Sequence, residues 1–389
     1  MRTFGCRVNQ AESQELRARL AAAGCAPAAS LAEAGLCIVN TCSVTKDADR
    51  EALKFLRRAG RENPAARLVV TGCLARRAPE DILRAAPQAQ VALDPGGELG
   101  LPEAAAAAPE RSRALLKVQD GCDGSCAYCV VPRVRPRLSS LPPAAAEERV
   151  RGLAAAGVPE IVLCGIRLGR YRDGAVALTG LLERLLRIPG AFRLRLSSLE
   201  VLEADEALAG LIAGSGGRLC PHLHIPLQSG SETVLRRMNR PYTAAVFVRR
   251  LEALRRRAPA LALFSDIITG FPGETEAESR ESLALVRSLG LCGLHVFRFS
   301  PRPGTLAAGM PGQVAPVAAR ERLESWQELD AELRRAHRRR AAGQRRVVAP
   351  LRGGFRGLTE DFLEVGLERP LPPGLWPVTL RESSNTAII

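Results

Sequence analysis

The sequence predicts an α/β protein in three pieces: an N-terminal domain with a small parallel sheet (residues 1–95), a central partial (β/α)6 barrel (113–341) and a small C-terminal β-barrel (342–389), with a linker at 96–112. Three observations carry this reading. Short apolar runs alternate with helix-period segments through roughly the first 340 residues, the rhythm of parallel βα units. A joint rich in Pro, Gly and Ala runs from Pro95. Beyond it the chain ends in short apolar segments separated by Gly and Pro, as in a small barrel. A length of 389 residues also argues for more than one domain.

In the first domain Leu36–Asn40 and Arg67–Thr71 read as buried strands. Glu12–Ala23 and Ala48–Gly60 read as amphipathic helices, the second with Thr45 or Asp47 available as its cap. Right-handed crossovers make such a series a parallel sheet. In the central piece the expected strands are Leu115–Gln119, Glu160–Gly165, Phe192–Ser197, His222–Leu227, Leu261–Thr269 and Leu294–Ser300. Six βα units form an incomplete barrel whose chemistry belongs at the carboxyl ends of the strands. A helix is expected within residues 316–342, ending in His337-Arg338-Arg339-Arg340, and the tail offers Phe362–Leu367 and Trp376–Leu380 as strands.

Formal net charge is +14, from 55 Lys and Arg against 41 Asp and Glu. Lysine occurs only at positions 46, 54 and 117, so the excess is arginine. A GC-rich genome favours arginine, yet an excess of basic over acidic residues also suits a polyanionic partner such as nucleic acid. No apolar run is long enough to span a membrane, and the first residues lack the pattern of a signal peptide. The expectation is a soluble, cytoplasmic protein with no membrane partner. Eleven cysteines then favour metal or redox chemistry over a disulfide framework.

The cysteines are placed informatively. Cys122-Asp-Gly-Ser-Cys126-Ala-Tyr-Cys129 lies just after the first strand of the βα repeat. Its three thiolates are soft ligands able to wrap one corner of a [4Fe–4S] cube, leaving one iron open to an outside ligand. A zinc knuckle lacking its fourth ligand is the bland alternative. A second trio, Cys6, Cys42 and Cys73, is expected directly after three strands, Thr-Phe-Gly-Cys6, Val-Asn-Thr-Cys42 and Val-Thr-Gly-Cys73. In an open parallel sheet such positions converge beyond the carboxyl ends of the strands. The competing reading is three buried thiols that serve only as packing. Cys25, Cys37, Cys164, Cys220 and Cys292 fall inside predicted elements and read as packing residues.

These two trios, in this order, resemble the methylthiotransferase family of radical-SAM enzymes. The resemblance covers nearly the whole chain and includes the blocks Gly5-Cys6-Arg7-Val8-Asn9-Gln10, Asn40-Thr41-Cys42-Ser43-Val44-Thr45, Arg195-Leu196-Ser197-Ser198-Leu199-Glu200, Met238-Asn239-Arg240 and Ser300-Pro301-Arg302-Pro303-Gly304-Thr305. The Asn-Thr-Cys-x-Val-Thr and Ser-Ser-Leu-Glu blocks look most like the branch acting on N6-threonylcarbamoyladenosine in tRNA. Branches acting on isopentenyladenosine or on a ribosomal protein are the enzymatic alternatives, and an iron–sulfur RNA-binding protein is the non-enzymatic one.

The resemblance implies two [4Fe–4S] clusters and S-adenosylmethionine as cofactors. Cys122, Cys126 and Cys129 would hold the cluster that cleaves S-adenosylmethionine, and Cys6, Cys42 and Cys73 an auxiliary cluster that delivers sulfur. It further implies tRNA as partner, an electron donor such as flavodoxin or ferredoxin, and a sulfur donor that the sequence does not name. Tyr128, Ser198, Glu200 and Gln228 are candidate cofactor contacts. The C-terminal barrel resembles a shortened RNA-binding TRAM domain, with Arg338, Arg339 and Arg340 as candidate phosphate contacts. The chain departs from the family pattern at Arg135-Pro136-Arg137, at Arg167 in place of a His, and at Cys164 in place of a Thr.

Overall fold

The computed structural model describes residues 1–103, 112–381 and 386–388. At the N-terminus β1 (Arg2–Thr3), β2 (Leu36–Thr41), β3 (Arg67–Gly72) and β4 (Gln90–Val91) pair in parallel in that order. The middle strands, Leu-Cys-Ile-Val-Asn-Thr and Arg-Leu-Val-Val-Thr-Gly, are buried beyond their first residue. Continuous apolar runs of this kind belong to strands covered on both faces.

Helices α1 (Arg7–Ala22), α2 (Lys46–Glu62), α3 (Cys73–Arg77), α4 (Pro79–Ala85) and α5 (Pro95–Glu98) complete this domain. Thr45 caps α2, its hydroxyl accepting from the Ala48 N–H at 3.2 Å, while Asp47 and Asp49 lie in the first turn. The helix expected from Glu12 starts earlier, at Arg7, with Cys6 as its N-terminal boundary residue. Its first turn was illegible because Val8 and Ala11 are buried against the barrel rather than against their own sheet. Consequently Cys6 does not directly follow a strand: β1 ends at Thr3, and Phe4 and Gly5 intervene. Part of the expected linker is ordered as α5, and Leu99 and Leu101 pack with Leu16, Ile38 and Val69. Residues 104–111 of that linker lie outside the described residues.

The central wall comprises β5 (Arg113–Asp120), β6 (Ser139–Ser140), β7 (Glu160–Gly165), a hairpin of β8 (Arg172–Asp173) and β9 (Val176–Ala177), then β10 (Arg193–Leu196), β11 (His222–His224), β12 (Ala262–Thr269) and β13 (Gly293–Arg298). One sheet runs β10-β7-β5-β6 and another β11-β12-β13. Bridges Leu194↔Leu219 and Ser198↔His224 stitch them together. The result is the expected six parallel strands, with no pairing between β6 and β13 among the described residues. Helices α6 (Val131–Val134), α7 (Pro143–Ala155), α8 (Leu178–Leu186), α9 (Glu206–Gly214), α10 (Glu232–Arg237), α11 (Ala244–Arg257), α12 (Glu276–Ser288) and α13 (Pro316–Ala341) follow the strands.

Strand alternation separates the two faces of the wall. Ala114, Leu116 and Val118 of β5 join the large core beneath the helices, whereas Leu115 and Cys164 face inward and meet Val8 and Ala11 of α1. The N-terminal domain therefore lays its first helix against the concave face of the barrel.

The C-terminal strands β14 (Arg345–Pro350), β15 (Arg356–Thr359), β16 (Glu364–Leu367), β17 (Trp376–Leu380) and β18 (Thr386–Ile388) close into a small barrel. It seals the end of the lumen where the central strands begin. Arg193 donates to the carbonyls of Val347 and Leu358 at 2.7 and 2.8 Å, and Arg195 to those of Thr359 and Glu360 at 2.8 and 3.0 Å. Phe362 stacks on His222 with ring centroids 4.4 Å apart. Beneath them Glu160, fully buried, pairs with Arg113, Arg193 and Arg195. Burial pushes its carboxyl pKa up, but the three guanidiniums outweigh that and hold it well below the usual range.

Candidate active site

The loop after β5 carries Cys122, Cys126 and Cys129 at the carboxyl ends of the barrel strands. Gly121 makes the turn with φ +83°, and a Cβ there would lie 1.9 Å from the Arg137 carbonyl oxygen, so only glycine fits. The Cys122 N–H donates to the Arg135 carbonyl at 2.9 Å, and the Gly124 N–H points at the Cys122 sulfur at 3.3 Å.

The Met238-Asn239-Arg240 block braces the loop from the far side. Ala127 N–H donates to Met238 O at 2.9 Å, and Asn239 Nδ2 donates to Ser125 O at 2.8 Å. Arg240 Nη1 lies 3.1 Å from the Cys126 sulfur and 3.4 Å from the Tyr128 hydroxyl, while its other nitrogen pairs with Glu200. Asn239 sits at φ +54°, a conformation that asparagine tolerates better than most residues. This block, in the sequence a mark of the family, holds the cysteine loop.

Cys6, Cys42 and Cys73 gather at the carboxyl ends of the N-terminal strands, and each of the latter two feels the charge of the other trio members or of Cys6. Asn9 ties this corner together, its amide donating to Thr41 O at 2.8 Å and to Phe4 O at 3.2 Å. Two glycines keep the space open. A Cβ at Gly5 would lie 2.6 Å from the Cys42 sulfur, and one at Gly72 would lie 2.2 Å from Thr41 O.

Burial drives these thiols toward their neutral form: Cys42 is pushed up to about 11 and Cys129 to about 12, and Cys73 and Cys122 are raised as well. No disulfide joins any of the eleven cysteines. Two sets of three free thiols, of which Cys42, Cys73, Cys122 and Cys129 are desolvated while Cys6 is exposed, fit a thiophilic cluster that stabilises thiolates by its own charge.

The two trios face each other across the domain boundary. Cys73 packs against Val130, which directly follows Cys129, and against Val134 at the end of α6. Lys46 N–H donates to the Ser300 hydroxyl at 3.1 Å, and Arg302 enters the N-terminal domain to pair with Asp49. Thus the Ser-Pro-Arg-Pro-Gly-Thr block, which had no assigned role in the sequence, is a docking element.

Of the candidate cofactor contacts, Tyr128 packs edge-on against Phe271, its hydroxyl near Arg240. Glu200 joins the same cluster through Arg240. Ser198 lies at the mouth, its hydroxyl 2.5 Å from His224 Nδ1. His224 Nε2 and His295 Nδ1 then approach one Asp266 oxygen at 2.8 and 3.2 Å. Ser198, His224, Asp266 and His295 thus form one line of close polar groups at the mouth, in which His295 Nδ1 has hydrogen-bond geometry to the carboxylate and the buried His224 Nε2 does not. Gln228 occupies a left-handed backbone position (φ +71°) at the edge of β12.

Arg338, Arg339 and Arg340 lie elsewhere. Arg340 donates to the Cys292 sulfur at 3.6 Å, just before β13 begins, so the run sits at the opposite end of the barrel from the cysteine loop. Arg167 explains one departure from the family pattern: it pairs with Asp123 inside the cysteine loop and with Glu203, both at 2.6 Å. Cys164 is buried against α1, its sulfur 3.9 Å from the Arg7 carbonyl.

The comparisons with known proteins agree with this layout. Residues 1–94 match the profile described as "Uncharacterized protein family UPF0004", and residues 116–286 match the radical SAM superfamily. The chain is 34% identical over 389 residues to the threonylcarbamoyladenosine tRNA methylthiotransferase MtaB of Thermotoga maritima, covering 93% of this chain and 89% of that protein. The corresponding Bacillus subtilis enzyme is 32% identical, with 94% and 87% covered. The chain belongs to the radical-SAM methylthiotransferase family. It is an enzyme of that family, whose cofactors are two [4Fe–4S] clusters and S-adenosylmethionine.

A tRNA-2-methylthio-N(6)-dimethylallyladenosine synthase from Parafrankia is nearly as similar, 33% identical with 91% and 78% covered. Among solved structures, the radical S-adenosylmethionine methyltransferase TsrM of Kitasatospora setae superposes with a TM-score of 0.54 at 15% identity, covering 74% of this chain and 65% of that one. The cobalamin-dependent radical enzyme OxsB gives 0.54 at 11%, with 86% and 56% covered. These two likenesses concern the fold alone. No helix among the described residues is long and apolar enough to cross a membrane.

Proposed function

We propose that this enzyme installs a methylthio group at C2 of N6-threonylcarbamoyladenosine next to the anticodon of tRNA. The observation that carries the reading is the similarity to threonylcarbamoyladenosine methylthiotransferases, which covers 93% and 94% of the chain. In this reading Cys122, Cys126 and Cys129 hold the cluster that binds S-adenosylmethionine, and Cys6, Cys42 and Cys73 hold the auxiliary cluster. When bound, these groups supply radical abstraction of hydrogen and a sulfur source, which an aromatic C–H with no acidic proton or leaving group requires.

The protein's own part is positioning and exclusion of water. Arg240 and Asn239 fix the cysteine loop, α1 covers the concave face of the wall, and the C-terminal barrel stops the lumen at its other end. Phe297, two residues beyond His295 and so on the same face of β13, is 43% exposed at the mouth, with Arg298 exposed beside it. An exposed aromatic next to a cation suits a base splayed out of a tRNA loop. On the C-terminal barrel, Phe355 is 60% exposed three residues from the exposed Arg352, and with Arg339 it offers contacts to the tRNA backbone. A cytoplasmic setting and a flavodoxin- or ferredoxin-like electron donor accompany this reading.

Mass spectrometry of the modified nucleosides from a deletion strain tests it. Loss of the 2-methylthio derivative of threonylcarbamoyladenosine is the expected result. Loss of the methylthio isopentenyl derivative would transfer the enzyme to the sister branch, and an unchanged nucleoside profile would point to a protein substrate. Anaerobic reconstitution is expected to give about eight irons per chain, falling to about four when Cys73 is replaced by Ala.

A further inference from the structure

Arg135 is one of the least exposed charged residues of the chain, and its contacts run in both directions across the domain boundary. It closes the short helix α6, and its carbonyl accepts the Cys122 N–H at 2.9 Å, so its backbone is part of the loop that carries the first trio. Its guanidinium leaves that loop. Nη1 and Nη2 donate to the two Glu12 oxygens at 2.7 and 2.9 Å, and Nη1 also meets Asp120 at 2.8 Å. Glu12 lies on α1, the helix that Cys6 begins.

The third nitrogen, Nε, is buried and has no hydrogen-bond partner. An orphaned N–H on a side chain only 5% exposed is costly unless something accepts it. Val134, the residue before Arg135, packs on Cys73, so the guanidinium starts beside that sulfur. After burial, which raises the Cys73 thiol, the Arg135 charge is the strongest influence on that thiol and acts to lower it. Lys117 completes the cluster, reaching Glu12 at 2.8 Å and Asp120 at 3.1 Å. Two cations and two anions are therefore packed together beside Cys73.

We infer that Arg135 is a positioning residue that joins the two cysteine trios, anchoring the Cys122 loop through its carbonyl and setting the reduction potential of the group held by Cys6, Cys42 and Cys73 through its guanidinium. The inference rests on the assignment of the auxiliary cluster to those three cysteines. A positive charge and an N–H donor beside a ligand sulfur stabilise the more reduced, more negative state, which raises the potential. Removing Arg135 leaves Lys117 against Glu12 and Asp120, a net negative site. Neutralising Glu12 leaves a net positive one. The two changes must therefore act in opposite directions, a signature that a purely mechanical role would not give.

The test uses anaerobically reconstituted full-length protein and a potentiometric titration followed by electron paramagnetic resonance. The auxiliary wave is the one that disappears when Cys6, Cys42 and Cys73 are replaced by Ala. Arg135→Gln should move that wave to more negative potential, Glu12→Gln should move it to more positive potential, and Arg135→Lys should fall between Arg135→Gln and the parent. The other wave should stay in place. Unmoved waves in both Gln variants with iron retained, or shifts of the same sign, would overturn the inference. If Arg135→Gln loses its iron altogether, Glu12→Gln and Arg135→Lys decide by the same criterion. About four irons in the parent protein would instead remove the auxiliary cluster itself, a failure of the underlying assignment.

Discussion

Arg302, in the loop beyond β13, places its guanidinium on the carboxylate of Asp49 in the first turn of α2, so a side chain of the central barrel ends inside the N-terminal domain. Arg77 meets the same carboxylate at 2.7 Å, and both arginines also donate to the Ser43 hydroxyl, next to Cys42. Arg302 is 2% exposed. A charge this well buried is tolerable only while its partner stays in place.

Arg302→Ala is expected to separate the two halves of the reaction. Asp49 keeps Arg77, so the N-terminal domain stays folded and no buried charge is stranded, but the domains lose their shared ion pair. Misplacement of the two trios by about an ångström should lower methylthiolated product by roughly a hundredfold. Cleavage of S-adenosylmethionine, which needs only the first trio, should persist. Equal loss of both activities, measured as deoxyadenosine and methylthio nucleoside in one assay, would show that the pair does not set the geometry between the trios.

Phe297 offers a separate test at the mouth of the barrel. If the substrate base stacks on it, Phe297→Ala removes about 1–3 kcal/mol, or roughly five- to 150-fold in kcat/KM for tRNA. Uncoupled cleavage of S-adenosylmethionine should be nearly unaffected, because that step needs only the first trio. A variant with normal kcat/KM would remove Phe297 from the substrate surface.

The strands and the Cys122 loop are legible in the sequence because each rests on local signals, apolar runs such as Ile38-Val39 and cysteines at fixed spacing, whereas the Cys6, Cys42 and Cys73 trio is read from places after strand candidates, which Cys6 does not directly follow. What could not be read depends on distant partners. Arg195 sits in a strand yet is wholly buried, since Glu160 and the carbonyls of Thr359 and Glu360 receive it from far along the chain. The start of α1 was missed for the same reason, as Val8 is buried by Cys164 and Leu115 of another domain. Arg135 and Arg167 stand out in the sequence as departures from the family pattern and Arg302 as part of a family block, and each is explained by a carboxylate on another element. Arg338–Arg340 read as a basic run, but the fold turns that helix end away from the cysteine loop.

Glu160 supplies the anion for three arginines beneath the C-terminal barrel. Glu160→Gln keeps the shape and removes the charge, leaving buried Arg193 and Arg195, with the partly exposed Arg113, without their anion. A loss of about 3–5 kcal/mol is expected, since breaking a buried pair strands its partner. Because Arg193 and Arg195 also hold the C-terminal barrel, that barrel should become accessible to protease before the rest of the chain. A wild-type melting temperature and digestion pattern would mean that the floor of the lumen holds without its anion.

Alkaline pH should separate the metal-free protein from the loaded one. In the metal-free fold, burial above all pushes Cys42 up to about 11 and Cys129 to about 12, against about 8.5 for a thiol in the unfolded chain. The folded state therefore holds these protons more tightly. Its advantage is complete below about pH 8.5 and is lost as pH rises toward the folded values. Cys164 and Cys220, raised by burial to about 12 and about 11, behave alike in both forms and cancel in the comparison. Cluster ligands are thiolates already and have no such proton to lose. Melting temperatures taken between pH 8 and 10.5 should thus fall more steeply after chelation of iron than before it, and replacing Cys42 and Cys129 by Ala should flatten the metal-free curve. Parallel curves for the two forms would mean that these thiols keep their protons when iron is bound and are not its ligands.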